Sequence, residues 1–360
     1  MNTHSEPVTL ARQAMATRFE IVLHGHNPVA LRAAGEEALD EIDRVESQLS
    51  LYRNTSEIAH LNARAAREPV RVSPALFRLL EQARRLSAQT NGAFVITIAP
   101  LVRCWGFMGG TGQMPTPEAV AQARQSVGMN LVELEPENFT VRFLREGVML
   151  DLGALGKGYA IERAAEILRQ DGVNSAILHG GTSTVHAIGH PPGVAAWQVA
   201  IARPAENPPG LSGVALGPTC FPAAAAQESS TASQTNQDGR QTHSPLLAVA
   251  PLRDESLSVS AVWGRCFQSG DPAYGHVIDP RTGQPACVAL LAAVILPSAT
   301  ETDALSTALL TLGPAGLGQI AGLRAGTRCL VLSHREGQLE AQAIGLECLR
   351  PLRPPLNEPS

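Results

Sequence analysis

Val148-Met-Leu-Asp-Leu-Gly-Ala-Leu-Gly-Lys-Gly-Tyr159 is the stretch on which the reading of this chain turns. Its first half, residues 148–153, has the apolar run of a buried strand. Small residues then punctuate a turn, and a helix is expected from about Lys157 to Arg169. A strand end, glycines that let backbone come close to a ligand, and a lysine at a helix start suit a phosphate-bearing molecule. The G-x-x-x-x-G-K-[ST] spacing of a Walker loop is absent. A glycine-rich strand-to-helix turn also serves purely structural ends, so the segment has to be weighed with its neighbours.

Upstream, residues 17–24 alternate as a strand does. Leu31, Ala34, Ala38, Ile42, Val45 and Leu49 form one apolar stripe of a helix. Ser73-Pro74 reads as N-cap and first position of another, which Gly92 stops. Downstream, residues 175–179 and 197–201 read as strands, the first ending at Gly180-Gly181. Strands and helices alternate without a steady βαβ rhythm, which favours the α+β class. Between about 205 and 245 Pro, Gly, Ala, Ser, Thr and Gln dominate. Such a stretch buries too little apolar surface to offset its ordering entropy and is expected to be a disordered surface insertion. The core resumes at Val294-Ile-Leu296, and a helix expected from near Thr302 carries Asp303 and Thr307 on one face. A carboxylate and a hydroxyl one turn apart can offer two oxygens to a hard cation such as Mg²⁺, although the same pair is common at solvated helix starts.

A second informative stretch is Tyr274-Gly-His-Val-Ile-Asp-Pro-Arg-Thr-Gly-Gln-Pro285. Asp279-Pro280 starts a turn and Gly283 closes it, holding His276 at the head of a short apolar run on a hairpin. An imidazole so placed is a candidate proton carrier near neutral pH. Taken alone it is an ordinary hairpin with a polar residue.

The totals narrow the function classes. The 360 residues suffice for one large domain or two ordinary ones. A net charge of −5 and 4% aromatics give no footing for nucleic acid. No run of eighteen apolar residues appears, so no transmembrane segment is expected. Six scattered cysteines without a C-x-x-C pair suit reduced thiols. His24, His26, His186 and His190 form pairs that invite a metal reading, but they lack a third ligand. The first residues show no basic segment followed by an apolar one, so cytoplasmic residence is the default expectation. A start trimmed of its leader reads the same way, which keeps a periplasmic location open.

In this order the segments resemble the ApbE-type FAD:protein FMN transferase family. The resemblance runs from about residue 13 to 325, the insertion aside, with residues 326–360 as a partly irregular C-terminal extension. It rests on Ala14-Met-Ala-Thr-Arg-Phe-Glu-Ile, Leu49 through Tyr52 to Asn62, Asn91-Gly-Ala-Phe94, Trp105-Gly-Phe107, Asp151 through Tyr159, Gly180-Gly181, Ser260, the His276–Gly283 turn and Asp303-Ala-Leu-Ser-Thr307. It implies an α+β, T-fold-like architecture of mixed sheets with packed helices in one large domain. It also implies Mg²⁺-dependent transfer of FMN from FAD to a Ser or Thr hydroxyl of an acceptor redox protein, releasing AMP. By the same resemblance Asp303, Thr307 and the Ala154 carbonyl would hold the metal. Lys157 and Asp151 would lie against FAD, and Met15, Tyr52, Ala93, Phe94, Val95 and Val277 would shape the flavin pocket. His276 would be the general base. Four positions depart from the family pattern: Val95 replaces a usual Asp, Thr182 an Asp or Asn, Ala261 a Gly and Gly275 a Ser. Two rival readings follow, an FAD pyrophosphatase yielding FMN and AMP, and a non-catalytic FAD-binding accessory protein.

Overall fold

The computed structural model describes residues 6–204, 219–220, 246–263, 266–268, 273–335 and 338–349. The chain opens with a hairpin of β1 (Val8–Ala14) and β2 (Thr17–Leu23). Met15 and Ala16 join them, both at positive φ (49° and 58°), the two-residue turn whose twist matches that of its strands. Then come α1 (Pro28–Leu49), α2 (Glu57–Arg64), β3 (Val70–Arg71) and α3 (Pro74–Gln89). Ser73 caps α3 as its sequence predicts, accepting from the Leu76 amide. Next are α4 (Ala99–Cys104), α5 (Pro117–Arg124), β4 (Val132–Glu135), β5 (Thr140–Phe143) and α6 (Gly156–Gln170). Strands β6 (Ala176–Gly180), β7 (Thr184–Ile188), β8 (Trp197–Ala202), β9 (Thr219–Cys220), β10 (Leu246–Leu252) and β11 (Ser256–Ala261) follow. The chain continues through β12 (Cys266–Gln268), β13 (Ala273–Gly275), β14 (Leu291–Leu296) and α7 (Ala299–Leu312). It closes with α8 (Leu317–Ala321), β15 (Arg328–Arg335) and β16 (Gln338–Ile344).

The main sheet has eight strands in the order β1-β2-β6-β7-β11-β14-β15-β16, so neighbours in space follow one another along the chain. Every described pairing in it is antiparallel. Helices inserted between strands cover one face, and a smaller sheet, β10-β8-β9, accompanies the other. Strand β14 shows why both faces must be covered. Its Ala292, Val294 and Leu296 join the helical core, while Leu291, Ala293 and Ile295 join the cluster with Val199, Ile201 and Leu247. Each fully buried Leu or Ile contributes about 1.5–3 kcal/mol relative to exposure. The α+β class expected from the sequence is the observed one.

Several details differ from the sequence expectation. No strand forms at 148–153. Instead the Asn62 carboxamide takes both backbone groups of Leu150, accepting from its N–H (2.8 Å) and donating to its C=O (3.0 Å). A side chain thus stands in for a neighbouring strand. The following helix starts at Gly156, one residue early, and α7 starts at Ala299, capped by Ser298. Residues 328–344, assigned to a C-terminal extension, supply the last two strands of the main sheet. The tail beyond residue 349 and most of the 205–245 insertion lie outside the described residues, apart from β9. The stretch Ala299–Ala321 is long and apolar enough to cross a bilayer by composition, but 61% of its most apolar 18-residue window is buried inside this fold.

Candidate active site

Helix α6 begins where the Leu152–Leu155 turn tightens, with Leu155 and Gly156 amides both donating to Leu152 O (3.0 and 2.7 Å). Asp151 sets that turn by accepting from the Gly153 amide (2.8 Å), and its own amide donates to Ile96 O (2.7 Å). Leu155 makes no side-chain cap, so the first amides of α6 need partners from elsewhere. Asp303, on α7, provides one. Its Oδ2 accepts from Gly158 N–H at 3.0 Å, placing a carboxylate at the positive end of α6. The favour is returned: Glu162 of α6 accepts from Ser298 Oγ (2.9 Å) and Thr300 N (2.8 Å) at the start of α7. Each helix therefore caps the other. Gly158 is required at the crossing, since a Cβ there would sit 2.1 Å from Ala299 O and 2.8 Å from Asp303 Cβ.

Around that contact the expected site residues converge. Lys157 Nζ lies 3.9 Å from Asp303 Oδ1 and donates to Gly153 O (3.3 Å). Asp303 is 4% exposed. Thr307 donates to the Asp303 carbonyl (3.3 Å), and its hydroxyl lies 3.2 Å from Ser260 Oγ. The helical ladder begins at Leu155 O, which accepts from Tyr159, so the Ala154 carbonyl lies one residue outside it. The donor set suits a hard cation: one carboxylate, hydroxyls and main-chain carbonyls, which leave coordination positions for water and phosphate oxygens. Among the described residues no group of three or more His, Cys, Asp or Glu could hold a softer metal. His186, one of the paired histidines, is instead a core residue bonded to Ser256 Oγ (2.7 Å) and Arg169 (2.9 Å). Burial, reinforced by the Arg169 charge, pushes its imidazole down to about 3. An arginine can only donate, so His186 Nε2 accepts and Nδ1 carries the proton to Ser256.

His276 does not head a strand; it sits in a bend between β13 and the turn bridged by Ile278 and Pro285. Gly283 closes that turn at φ 76°, as expected. The ring is half-buried, with its centroid 6.5 Å from that of Phe107 in an edge arrangement. Phe107 belongs to a satellite core with Trp105, Phe267 and Tyr274, an aromatic cluster in a chain that is only 4% aromatic. Trp105 Nε1 donates to Gly283 O (2.8 Å) and Arg124 donates to Arg281 O, tying the turn to α4 and α5. The backbone carrying the imidazole is linked to the strand that meets Thr307. Thr307 meets Ser260 on β11; Val262, two residues on, presses its carbonyl against Gly275, where a Cβ would stand 2.6 Å away. Gly275 precedes His276 directly. Val277 and Val262 both pack on the main core.

The remaining expected flavin contacts divide. Ala93, Phe94 and Val95 are 1%, 2% and 7% exposed and belong to the main core. Met15 packs partly on that core from the hairpin turn, and Tyr52 is 65% exposed. Two cavities lie elsewhere. One of about 780 Å³ is lined by His24, His190, Arg169 and Arg253, and another of about 290 Å³ lies beside His60 and Arg71. Sequence reasoning named Ser260 and Thr307 but missed Thr184, Ser258 and Thr302, the buried hydroxyls behind Asp303. Their signal was present: Ser256, Ser258 and Ser260 alternate along β11, and the last two face Thr302, Ser306 and Thr307 of α7.

Residues 15–331 match the sequence profile of the ApbE family. An FAD:protein FMN transferase of Klebsiella pneumoniae is 28% identical over 317 residues, 86% of this chain and 78% of the relative. One of Treponema pallidum is 27% identical over 310 residues, 84% and 78% of the two chains. The ApbE protein of Thermotoga maritima superposes with TM-score 0.74 at 24% identity, over 93% of this chain and 96% of the other. The flavin transferase ApbE of Vibrio cholerae gives 0.72 at 22% identity, over 94% and 97%. With the helix crossing, the histidine turn and this match along most of its length, the chain belongs to the ApbE family.

Proposed function

We propose that this chain is a Mg²⁺-dependent FAD:protein FMN transferase that modifies a Ser or Thr hydroxyl of an acceptor redox protein and releases AMP. The observation that carries the reading is the meeting of Lys157, Asp303 and Thr307 at the start of α6, joined through Ser260 and Val262 to the His276 turn. Asp303, Thr307 and the Ala154 carbonyl would hold the cation. Bound there, the ion would neutralise charge building on the FAD pyrophosphate. Lys157, at a helix N-terminus, adds a positive charge for the phosphates. His276 accepts the acceptor hydroxyl's proton as the new O–P bond to FMN forms. The pyrophosphate bond breaks and AMP leaves with the bonding electron pair.

The test incubates the protein with FAD, Mg²⁺ and a candidate redox acceptor while AMP, free FMN and covalent flavin are followed. AMP together with protein-bound fluorescence supports transfer. AMP with free FMN alone replaces it with a pyrophosphatase, and retained FAD without AMP replaces it with a binder.

A further inference from the structure

Thr184 on β7 and Ser258 on β11 are both 0% exposed, and neither has a part in the chemistry above. Thr184 donates to Asp303 Oδ1 at 3.4 Å. Ser258 Oγ lies 3.3 Å from Thr184 Oγ1 and 3.2 Å from Thr302 Oγ1, and Thr302 donates to Ala299 O at 2.8 Å. Each hydroxyl has one proton to give. With Thr184 on Asp303, Ser258 gives its proton to Thr184 or to Thr302. With Thr184 turned to Ser258, Ser258 gives its proton to Thr302, and Thr302 stays on Ala299 O. Both arrangements use the same oxygen positions and keep every buried hydroxyl proton paired, so neither carries the cost of an orphaned polar group. They differ at one atom. The first occupies Asp303 Oδ1 with a hydroxyl, and the second leaves it facing, among the described residues, only the Lys157 ammonium at 3.9 Å. Oδ2 has no such freedom, because its partner is the backbone amide of Gly158.

We propose that Thr184 and Ser258 are positioning residues forming a hydroxyl relay that holds Asp303 Oδ1 before a cation arrives and releases it when one binds. The relay rests on the reading of Asp303 as a cation ligand. Ser258 is its pivot. Ser258→Ala removes the acceptor toward which Thr184 turns, so the Thr184 hydroxyl stays on Oδ1 and competes with the cation. Thr184→Val removes the competitor itself, so the effect of Ser258→Ala depends on Thr184 being present.

The experiment titrates Mn²⁺ into the full-length protein without FAD and counts free ion by electron paramagnetic resonance. The proteins are wild type, Ser258→Ala, Thr184→Val, the double variant and Asp303→Ala, each also melted thermally. Ser258→Ala should weaken Mn²⁺ binding by about 3–10-fold, the worth of one hydrogen bond. Thr184→Val should bind no more weakly than wild type, and in its background Ser258→Ala should change affinity by less than about twofold. An equal loss in both backgrounds, or none in either, overturns the relay. Weakened binding by Thr184→Val also overturns it, and that variant carries the test if Ser258→Ala fails to fold. Mn²⁺ binding that survives Asp303→Ala removes the ligand reading and the relay with it. Binding that needs Asp303 but ignores Ser258 removes the relay alone.

Discussion

The two halves of the site are held by different forces. At the α6–α7 crossing, the functional groups sit on core helices whose ends cap each other, with Gly158 letting the backbones touch and buried hydroxyls filling the gaps. At the His276 turn, the imidazole rides on irregular backbone steadied by aromatic faces and a few bonds to main-chain carbonyls. Directional bonds between regular elements fix position closely, whereas dispersion among rings tolerates small displacements. In the proposed mechanism a cation ligand needs the first kind of support, and a base that must meet a hydroxyl on another protein's surface can use the second.

The sharpest break in that comparison comes from His276→Ala. It should lower the transfer rate by about 10²–10⁴-fold, the usual worth of a positioned base. Because the ring is only half-buried, the melting temperature and Mn²⁺ affinity should hardly move. A large loss of stability would show that the histidine is structural. Gly158→Ala acts on the other side and should do the reverse, destabilising the fold by about 1–3 kcal/mol or more through overpacking. Denaturant unfolding reads this directly, and a neutral result would mean that the crossing is looser than its geometry.

The buried His186 at the far end of α6 supplies a pH test. Its folded value of about 3 lies below the ordinary 6.5, so between these the unfolded chain binds more protons. Stability on this account is complete above about pH 6.5 and falls on acidification toward 3, with a slope approaching about 1.4 kcal/mol per pH unit. Urea midpoints at pH 7 and 5 should converge in His186→Gln, and an unchanged slope would remove the buried imidazole as its cause. The smallest effect belongs to Trp105→Phe, which removes the indole bond to Gly283 O but keeps the ring packing. About 1 kcal/mol of stability should go, with a modest rise in KM for the acceptor. An unaltered protein by both measures would place the turn's rigidity in the aromatic stack alone.

The helix stripe of α1, the Ser73 cap and the Asp303–Thr307 pair were legible because helical periodicity and capping are local properties. The start of α6 was legible to within one residue for the same reason. What the sequence hid were choices of partner. An apolar run at 148–150 reads as a strand, yet its ladder is a single asparagine side chain from residue 62. Likewise, the alternate serines of β11 read as an ordinary half-polar strand until α7 is laid against them. The aromatic support of His276 draws on residues 105, 107, 267 and 274, a grouping that no local window contains.

The sheet's two covered faces carry a consequence for where the low-complexity stretch is anchored. Residues 220 and 246, which bound the longer undescribed part of the low-complexity stretch, both belong to the small β10-β8-β9 sheet. That layer packs on the side of the main sheet away from α6 and α7. Both of these anchor points therefore lie in the layer behind the main sheet, with the full thickness of that sheet between them and the α6–α7 crossing.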